Sequence, residues 1–223
     1  MKDMFRSFRI FTARYTITVM LQTALIMLVI FTVAGGISFI GVADDSFAAG
    51  FFHGFLPAFV MVMPISGSFM LNAIYSYNMP INPGYKYMHS IKDSGKKYVQ
   101  AIMAGNLISL GIVFISVIMM SVLSMLLETL LSPIYGVVLG LFVMGMINLT
   151  GNIRNQWVRI FSIMPLFLAV GFLSGFNSAA EEDGDHLPEI VLWIGLAVAI
   201  VVFVVGIVYS LCTSEKKWRR DEK

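Results

Sequence analysis

Apolar residues form six long runs along the chain, and short polar segments separate them. A helix that crosses a bilayer needs about 20 mostly apolar residues, because the hydrocarbon core is about 30 Å thick and a helix rises about 1.5 Å per residue. The runs therefore predict an all-α fold, a single six-helix transmembrane domain over residues 1–223. The predicted spans are about residues 17–40, 51–74, 99–125, 134–149, 160–176 and 190–211.

The N-terminal arm, residues 1–15, has the periodicity of an amphipathic helix. Phe5 and Phe8 recur at helical spacing with other apolar residues, while Arg6 and Arg9 interrupt them as the polar positions. A basic helix of this kind is suited to lie in the membrane interface. We interpret it either as an anchor or as an elbow helix that also touches a cytoplasmic partner.

A second amphipathic pattern occupies the loop between spans two and three, residues 78–98. A break rich in proline and glycine ends span two, and from Tyr85 the pattern is helical. The apolar half of the wheel contains Tyr85, Tyr87, Met88, Ile91, Gly95, Tyr98 and Val99. The polar half contains Lys86, His89, Ser90, Asp93, Lys96 and Lys97, with Lys92 as the exception. A connection needs only a tight turn, so we interpret this helix as a docking surface for another protein, with interfacial packing as the alternative.

Composition and charge agree with a membrane protein. The chain is 58% hydrophobic and 13% charged, with a mean hydropathy of +0.83, whereas soluble domains are about 25% charged. Lysine and arginine are retained on the cytoplasmic side of membranes, and six spans place all 15 of them, with both termini, on one side. The other side carries eight acidic residues: Asp44, Asp45, Glu128, Glu181, Glu182, Asp183, Asp185 and Glu189. A net charge of +2 leaves no basic face for nucleic acid.

The sequence predicts neither an enzyme nor a bound cofactor or metal ion. The segment nearest to a Walker motif, residues 94–97, lacks the first glycine and the hydroxyl that contacts magnesium, so the chain is not expected to hydrolyse ATP. The histidines are dispersed, and no helical His/Glu pair indicates a metal site. The acidic outer segment 181–189 does not have EF-hand spacing and is interpreted as a solvated loop, and no role is assigned to Glu128.

Three asparagines, Asn72, Asn106 and Asn148, lie in predicted spans. Uncharged amides in membranes join helices more often than they bind substrate. We therefore predict that they pack helices, with a place along a substrate path as the alternative.

A basic N-terminal helix, six spans and a cytoplasmic helix that begins at Pro83-Gly84-Tyr85-Lys86-Tyr87 together resemble the permease subunits of bacterial type-2 ABC exporters. The likeness is to the small ones associated with peptide or antibiotic export and self-immunity. It implies that residues 85–98 form a coupling helix that docks on a separate ATPase subunit, which binds the ATP. It also implies a second copy or a sister permease as partner, in the cytoplasmic membrane. The implied docking residues are Tyr85, Lys86, Met88, His89, Ile91, Lys92 and Tyr98.

The sequence is also compatible with two functions of other classes. One is a substrate-binding membrane subunit of a vitamin-uptake system or another six-helix carrier. Carriers usually have internal repeats or a charge at mid-membrane, and the sequence contains neither. The other is a non-transporting immunity or scaffold protein that sequesters a partner in the membrane.

Overall fold

The computed structural model describes residues 1–12, 67–68, 70–79, 81–127, 133–153, 155, 157–159, 161 and 189–219. Every regular element in these ranges is a helix, as the hydrophobic pattern predicts. Span one, most of spans two and five, Glu128 and the outer segment up to residue 188 lie outside the described residues. In chain order the longer helices are α1 (Lys2–Phe11), α2 (residues 70–76), α3 (Tyr85–Ser90), α4 (Ser94–Leu127), α5 (Pro133–Thr150) and α6 (Glu189–Arg219). Residues 67–68, 157–159 and 161 are also helical.

Two of the described helices are long and apolar enough to cross a membrane, through residues 94–122 of α4 and 192–218 of α6. Residues 136–150 of α5 form a shorter apolar helix. These three helices coincide with the predicted third, fourth and sixth spans. α6 continues past the predicted end at residue 211 to Arg219, because residues 215–217 favour a helix and the following Trp218 is buried.

Helices α5 and α6 pack with their backbones in contact. A Cβ atom added to Gly145 would lie 2.7 Å from the Phe203 nitrogen, and one added to Gly206 would meet the carbonyl oxygen of Gly145. Only glycine fits at both positions, since any side chain would have to push the helices apart. Membrane helices use small residues in this way to bring their backbones together.

Helix α1 packs along α4. Phe8 and Phe11 are buried, and the Ser7 hydroxyl donates a hydrogen bond to Gln100 Oε1 at 2.8 Å. Arg6 and Arg9 are exposed on the outer side of α1. The predicted helix is therefore present, and Phe8 and Phe11 on its apolar side contact the protein, whereas Phe5 is exposed.

The predicted helix over residues 85–98 differs from the observed structure, which divides it into α3 and the start of α4. Asp93 lies between them with a φ of 57°, in the left-handed region that an aspartate tolerates better than most residues. Ser94 then begins α4. A helical wheel has no signal for a single left-handed residue, so the break was not predicted.

Helix α2, at the end of predicted span two, packs against α4. A Cβ added to Gly105 would lie 2.8 Å from Ile74 Cδ1. Just before α2, the Gly67 carbonyl accepts a hydrogen bond from the Ser109 hydroxyl at 2.7 Å. Thus α2 and the residues just before it contact α4, so the two segments that flank the predicted cytoplasmic loop in the chain pack against each other.

Candidate functional site

Helix α3 has a buried side and an exposed side. Met88 is buried, while Tyr85 and His89 are half-buried. On the exposed side, Tyr87 is 69% exposed, and Ile81 in the preceding turn is 74% exposed. The exposed residues of this segment are Ile81, Pro83, Lys86, Tyr87, Ser90, Lys92 and Asp93. We call Ile81, Lys86, Tyr87, Ser90 and Lys92 the loop surface; it combines two large apolar side chains with two cations.

This arrangement changes which residues are available to a partner. Of the seven predicted docking residues, Lys86 and Lys92 are exposed, and Tyr85, His89 and Ile91 are half-buried. Met88 and Tyr98 differ from their predicted role, because both are buried in the protein's own core. Tyr87 and Ile81 were not among the predicted docking residues. The helical wheel placed Tyr87 and Met88 on the same apolar half, but in the structure Tyr87 is 69% exposed to solvent and Met88 is 6% exposed.

The inner side of α3 contacts Trp218, near the end of α6. The imidazole of His89 stacks on the indole with ring centroids 3.8 Å apart, and Tyr85 contacts His89 at 4.4 Å. On the opposite side of α3, Tyr87 points away from the core, since it is largely exposed. A helix of one and a half turns therefore connects an exposed surface with the buried end of a long apolar helix.

Trp218 is the centre of a group of rings that we call the aromatic cluster. Its indole contacts Tyr98 at 4.3 Å and Phe11 at 5.6 Å, and its Nε1 donates a hydrogen bond to the Ser94 hydroxyl at 2.8 Å. The members are Phe11, Tyr75, Tyr77, Tyr85, His89, Tyr98 and Trp218. The cluster joins α1, α2 and its following turn, α3, α4 and α6. Aromatic pairs at these distances add to the apolar area that they bury.

A buried network of amides and hydroxyls lies beside the aromatic cluster. Asn148 Nδ2 donates to Asn106 Oδ1 at 2.7 Å, and Asn106 Nδ2 donates back to Asn148 Oδ1 at 3.1 Å. The Tyr75 hydroxyl donates to Asn148 Oδ1 at 2.7 Å and lies 2.5 Å from the Ser210 hydroxyl. Four helices, α2, α4, α5 and α6, meet in this network. Through it, Asn106 and Asn148 connect α4 with α5 by two hydrogen bonds.

Asn72 has a different partner, Arg159. The guanidinium of Arg159 donates from one terminal nitrogen to both the carbonyl oxygen, at 3.2 Å, and the side-chain oxygen of Asn72. It lies over the Tyr75 ring, 5.7 Å from the centroid, and its other terminal nitrogen is 4.0 Å from Met79 Sδ. These contacts tie the segment after α5 to the segment around α2.

The Arg159 side chain is only 3% exposed. Burial lowers the pKa of the guanidinium, but an arginine begins so high that the group keeps its charge at neutral pH. In the sequence this residue contributes only to the count of basic residues on the cytoplasmic side. Nothing in its spacing distinguishes it from a solvated loop arginine.

Comparison of the chain with protein families, with curated proteins and with solved structures finds no match.

Proposed function

We propose that this chain is the transmembrane subunit of an ABC transporter of the bacterial cytoplasmic membrane, with six spans and both termini in the cytoplasm. A separate ATPase subunit docks on the loop surface, and a second copy or a sister permease completes the pathway. The exported substrate is a peptide, an antibiotic or a lipid-like molecule. The observation that carries the proposal is the two-sided α3, exposed at Tyr87 and stacked through His89 on Trp218.

The loop surface has the chemistry of a protein contact. Exposed aromatic and aliphatic side chains supply the apolar centre of an interface, and here Tyr87 and Ile81 are 69% and 74% exposed. Lys86 and Lys92 flank them and are also exposed, so they add positive charge that would steer an acidic partner surface. A span connection without a partner has no need of this combination.

The aromatic cluster provides a path from the docked subunit to the long helices. When two ATPase subunits close on ATP, they displace α3. His89 and Tyr85 pass the displacement to Trp218 on α6, and Phe11 carries it to α1. Because a packed aromatic core deforms little, the helices that share it move together, and the six-helix halves rock between two states.

The two alternative functions give different expectations for the loop surface. A vitamin-uptake subunit or another carrier, or a non-transporting immunity protein, has no ATPase bound at Tyr87. A gene for an ABC ATPase with a Walker motif next to the gene for this chain favours the transporter subunit. The biochemical test therefore uses that ATPase.

The test is co-purification of the two full-length chains from membranes, with a photoreactive benzoylphenylalanine at position 87. We expect it to cross-link to the ATPase, and we expect the same probe in place of Val201, which is 61% exposed on α6, not to do so. Tyr87→Ala combined with Ile81→Ala should weaken association about tenfold or more, since truncating large interface anchors costs about 1–2 kcal/mol each.

Tyr209→Ala is the matched control, because Tyr209 is also exposed but lies on α6. Met88 is unsuited to the test, since a polar residue there would disrupt the core. An ATPase that does not associate, or one whose association is unchanged by the double substitution, would show the proposal to be wrong.

A further inference from the structure

We propose that Arg159, Tyr98 and Asn78 form a binding site for a phosphate-bearing anion at the predicted cytoplasmic end of the helices. The Arg159 guanidinium is almost completely buried and forms no ion pair with any residue that the structure describes. A buried charge is strongly unfavourable unless an opposite charge and hydrogen bonds compensate it. The protein partners of Arg159 supply only part of that compensation.

Those partners are neutral. They are the two oxygens of Asn72, the sulfur of Met79 and the face of the Tyr75 ring. Thioether sulfur is a weak acceptor, and the Nε atom of Arg159 is buried without a hydrogen-bond partner. A guanidinium presents five N–H donors in a planar fork that matches carboxylate and phosphate oxygens. The Nε–H group of Arg159 is the donor of this planar group that makes no hydrogen bond.

Two further polar side chains of this region are buried without hydrogen-bond partners. The Tyr98 hydroxyl and both amide atoms of Asn78 make no hydrogen bond, although Tyr98 is fully buried and Asn78 is 2% exposed. Native proteins pair nearly all such groups, so several in one region indicate a ligand. All three side chains supply N–H or O–H donors.

The three residues belong to one locality. The Tyr98 ring packs edge-on against the Tyr75 ring at 6.4 Å, and Arg159 lies over that same Tyr75 ring. The backbone N–H of Asn78 donates a hydrogen bond to the Tyr75 carbonyl at 3.1 Å. Asn78 directly precedes Met79, whose sulfur contacts the guanidinium. The turn after α2, α4 and the segment after α5 therefore each contribute one of these three side chains to the surroundings of Tyr75.

Phosphate is the favoured anion because of the position of the site along the membrane normal. The charge pattern predicts that residues 78–98 and Arg159 lie at the cytoplasmic surface, where the inner-leaflet phosphates are. Arginine binds phosphate bidentately, and tyrosine and asparagine add single hydrogen bonds. The phosphate belongs either to the headgroup of an anionic lipid or to a soluble phosphate compound, and the experiment distinguishes these sources.

The test measures thermal unfolding of the purified, delipidated full-length chain, without any ATPase, so that its result does not depend on the proposed function. The probes are phosphatidylglycerol in mixed micelles, with phosphatidylcholine as its control, and inorganic phosphate, with chloride as its control. We expect one of the two phosphate probes to raise the Tm with a saturable dose response. A rise with phosphatidylglycerol alone assigns the lipid headgroup, and a rise with inorganic phosphate assigns the soluble anion.

Tyr98→Phe is the decisive variant, because it removes only a hydroxyl that has no partner in the protein. It should leave the fold intact and weaken the apparent affinity about tenfold, as expected for one hydrogen bond to a charged group. Arg159→Gln should abolish the response, and Lys216→Gln, at an exposed lysine of α6, should leave it unchanged. If Arg159→Gln does not fold, Tyr98→Phe decides alone. No response to either probe, or a response that Tyr98→Phe leaves unchanged, overturns the proposal.

Discussion

The imidazole of His89 stacks on the indole of Trp218 with ring centroids 3.8 Å apart and ring planes 9° apart. The two residues lie 129 positions apart in the sequence, on the short helix α3 and near the end of α6. This stack is one of the contacts that hold the polar loop on the long apolar helices. The last turns of α6 therefore pack against α3, whereas a solvated basic tail would make no such contact.

We expect Trp218→Ala to destabilise the protein strongly. Trp218 is fully buried and contacts three other rings of the aromatic cluster, and removing a buried tryptophan costs about 3–5 kcal/mol. The measurement is thermal or denaturant unfolding in detergent. The same substitution at Trp193, which is 56% exposed, is the matched control and should change stability much less. Equal effects at both positions would contradict the observed packing.

A second prediction concerns the glycines between α5 and α6. Gly145→Ala and Gly206→Ala should each destabilise the packed helices, because the added methyl group would meet backbone atoms of the facing helix rather than movable side chains. Overpacking of this kind typically costs about 1–3 kcal/mol. Unfolding of each variant in detergent measures the effect.

Gly111→Ala is the control for these two substitutions. Gly111 lies within α4, and a Cβ added there meets nothing within 4 Å. Alanine in a helix interior is favoured over glycine by about 0.5–1 kcal/mol, so this variant should be neutral or slightly more stable. If Gly145→Ala and Gly206→Ala were as stable as Gly111→Ala, the close approach of the two backbones would be contradicted, and helix propensity alone would explain the three stabilities.

The sequence predicted the apolar helices better than the polar contacts, and α5 shows why. Its predicted bounds, residues 134–149, nearly match Pro133–Thr150. The apolar run begins after Pro133 and ends before Gly151, and these two residues mark the ends of the helix in the sequence. Hydrophobicity also indicated that α4 and α6 are long helices. These predictions depend on local composition, which a single sequence contains.

The burial of Trp218 and Arg159 depends on contacts between distant segments, and the sequence has no local signal for it. Trp218 follows two lysines and precedes an arginine, so its surroundings indicate a solvated tail. Arg159 resembles the other basic residues that set the orientation. The helical wheel likewise assigned Tyr87 and Met88 to one apolar half, although one is 69% exposed and the other 6%.

A third prediction tests the reciprocal amide pair. Asn106→Leu and Asn148→Leu should each destabilise the protein, because each removes both hydrogen bonds of the pair and leaves a buried N–H of the remaining amide unpaired, at a cost of about 1–3 kcal/mol. The double substitution should cost less than the sum of the two. A double-mutant cycle measures the coupling, which we expect to be about 0.5–2 kcal/mol. Additive effects would mean that the two amides do not depend on each other.

The predicted topology can be tested with single cysteines and a membrane-impermeant maleimide. Cys212 is the only cysteine and is exposed, so it is first replaced by alanine. Ser90 is a suitable reporter of the loop between spans two and three, because it is exposed and its hydroxyl bonds only to the Tyr87 carbonyl of the same helix. Ser94 is unsuited, since it is buried and accepts a hydrogen bond from Trp218.

With six spans and cytoplasmic termini, Ser90→Cys should react only after the membrane is opened. Ser178→Cys, in the predicted outer segment between spans five and six, should react in intact cells. Because the orientation follows from the position of all 15 basic residues, the reverse pattern would contradict the assignment of inside and outside. Reaction of both cysteines from the same side would instead contradict the number of spans between them.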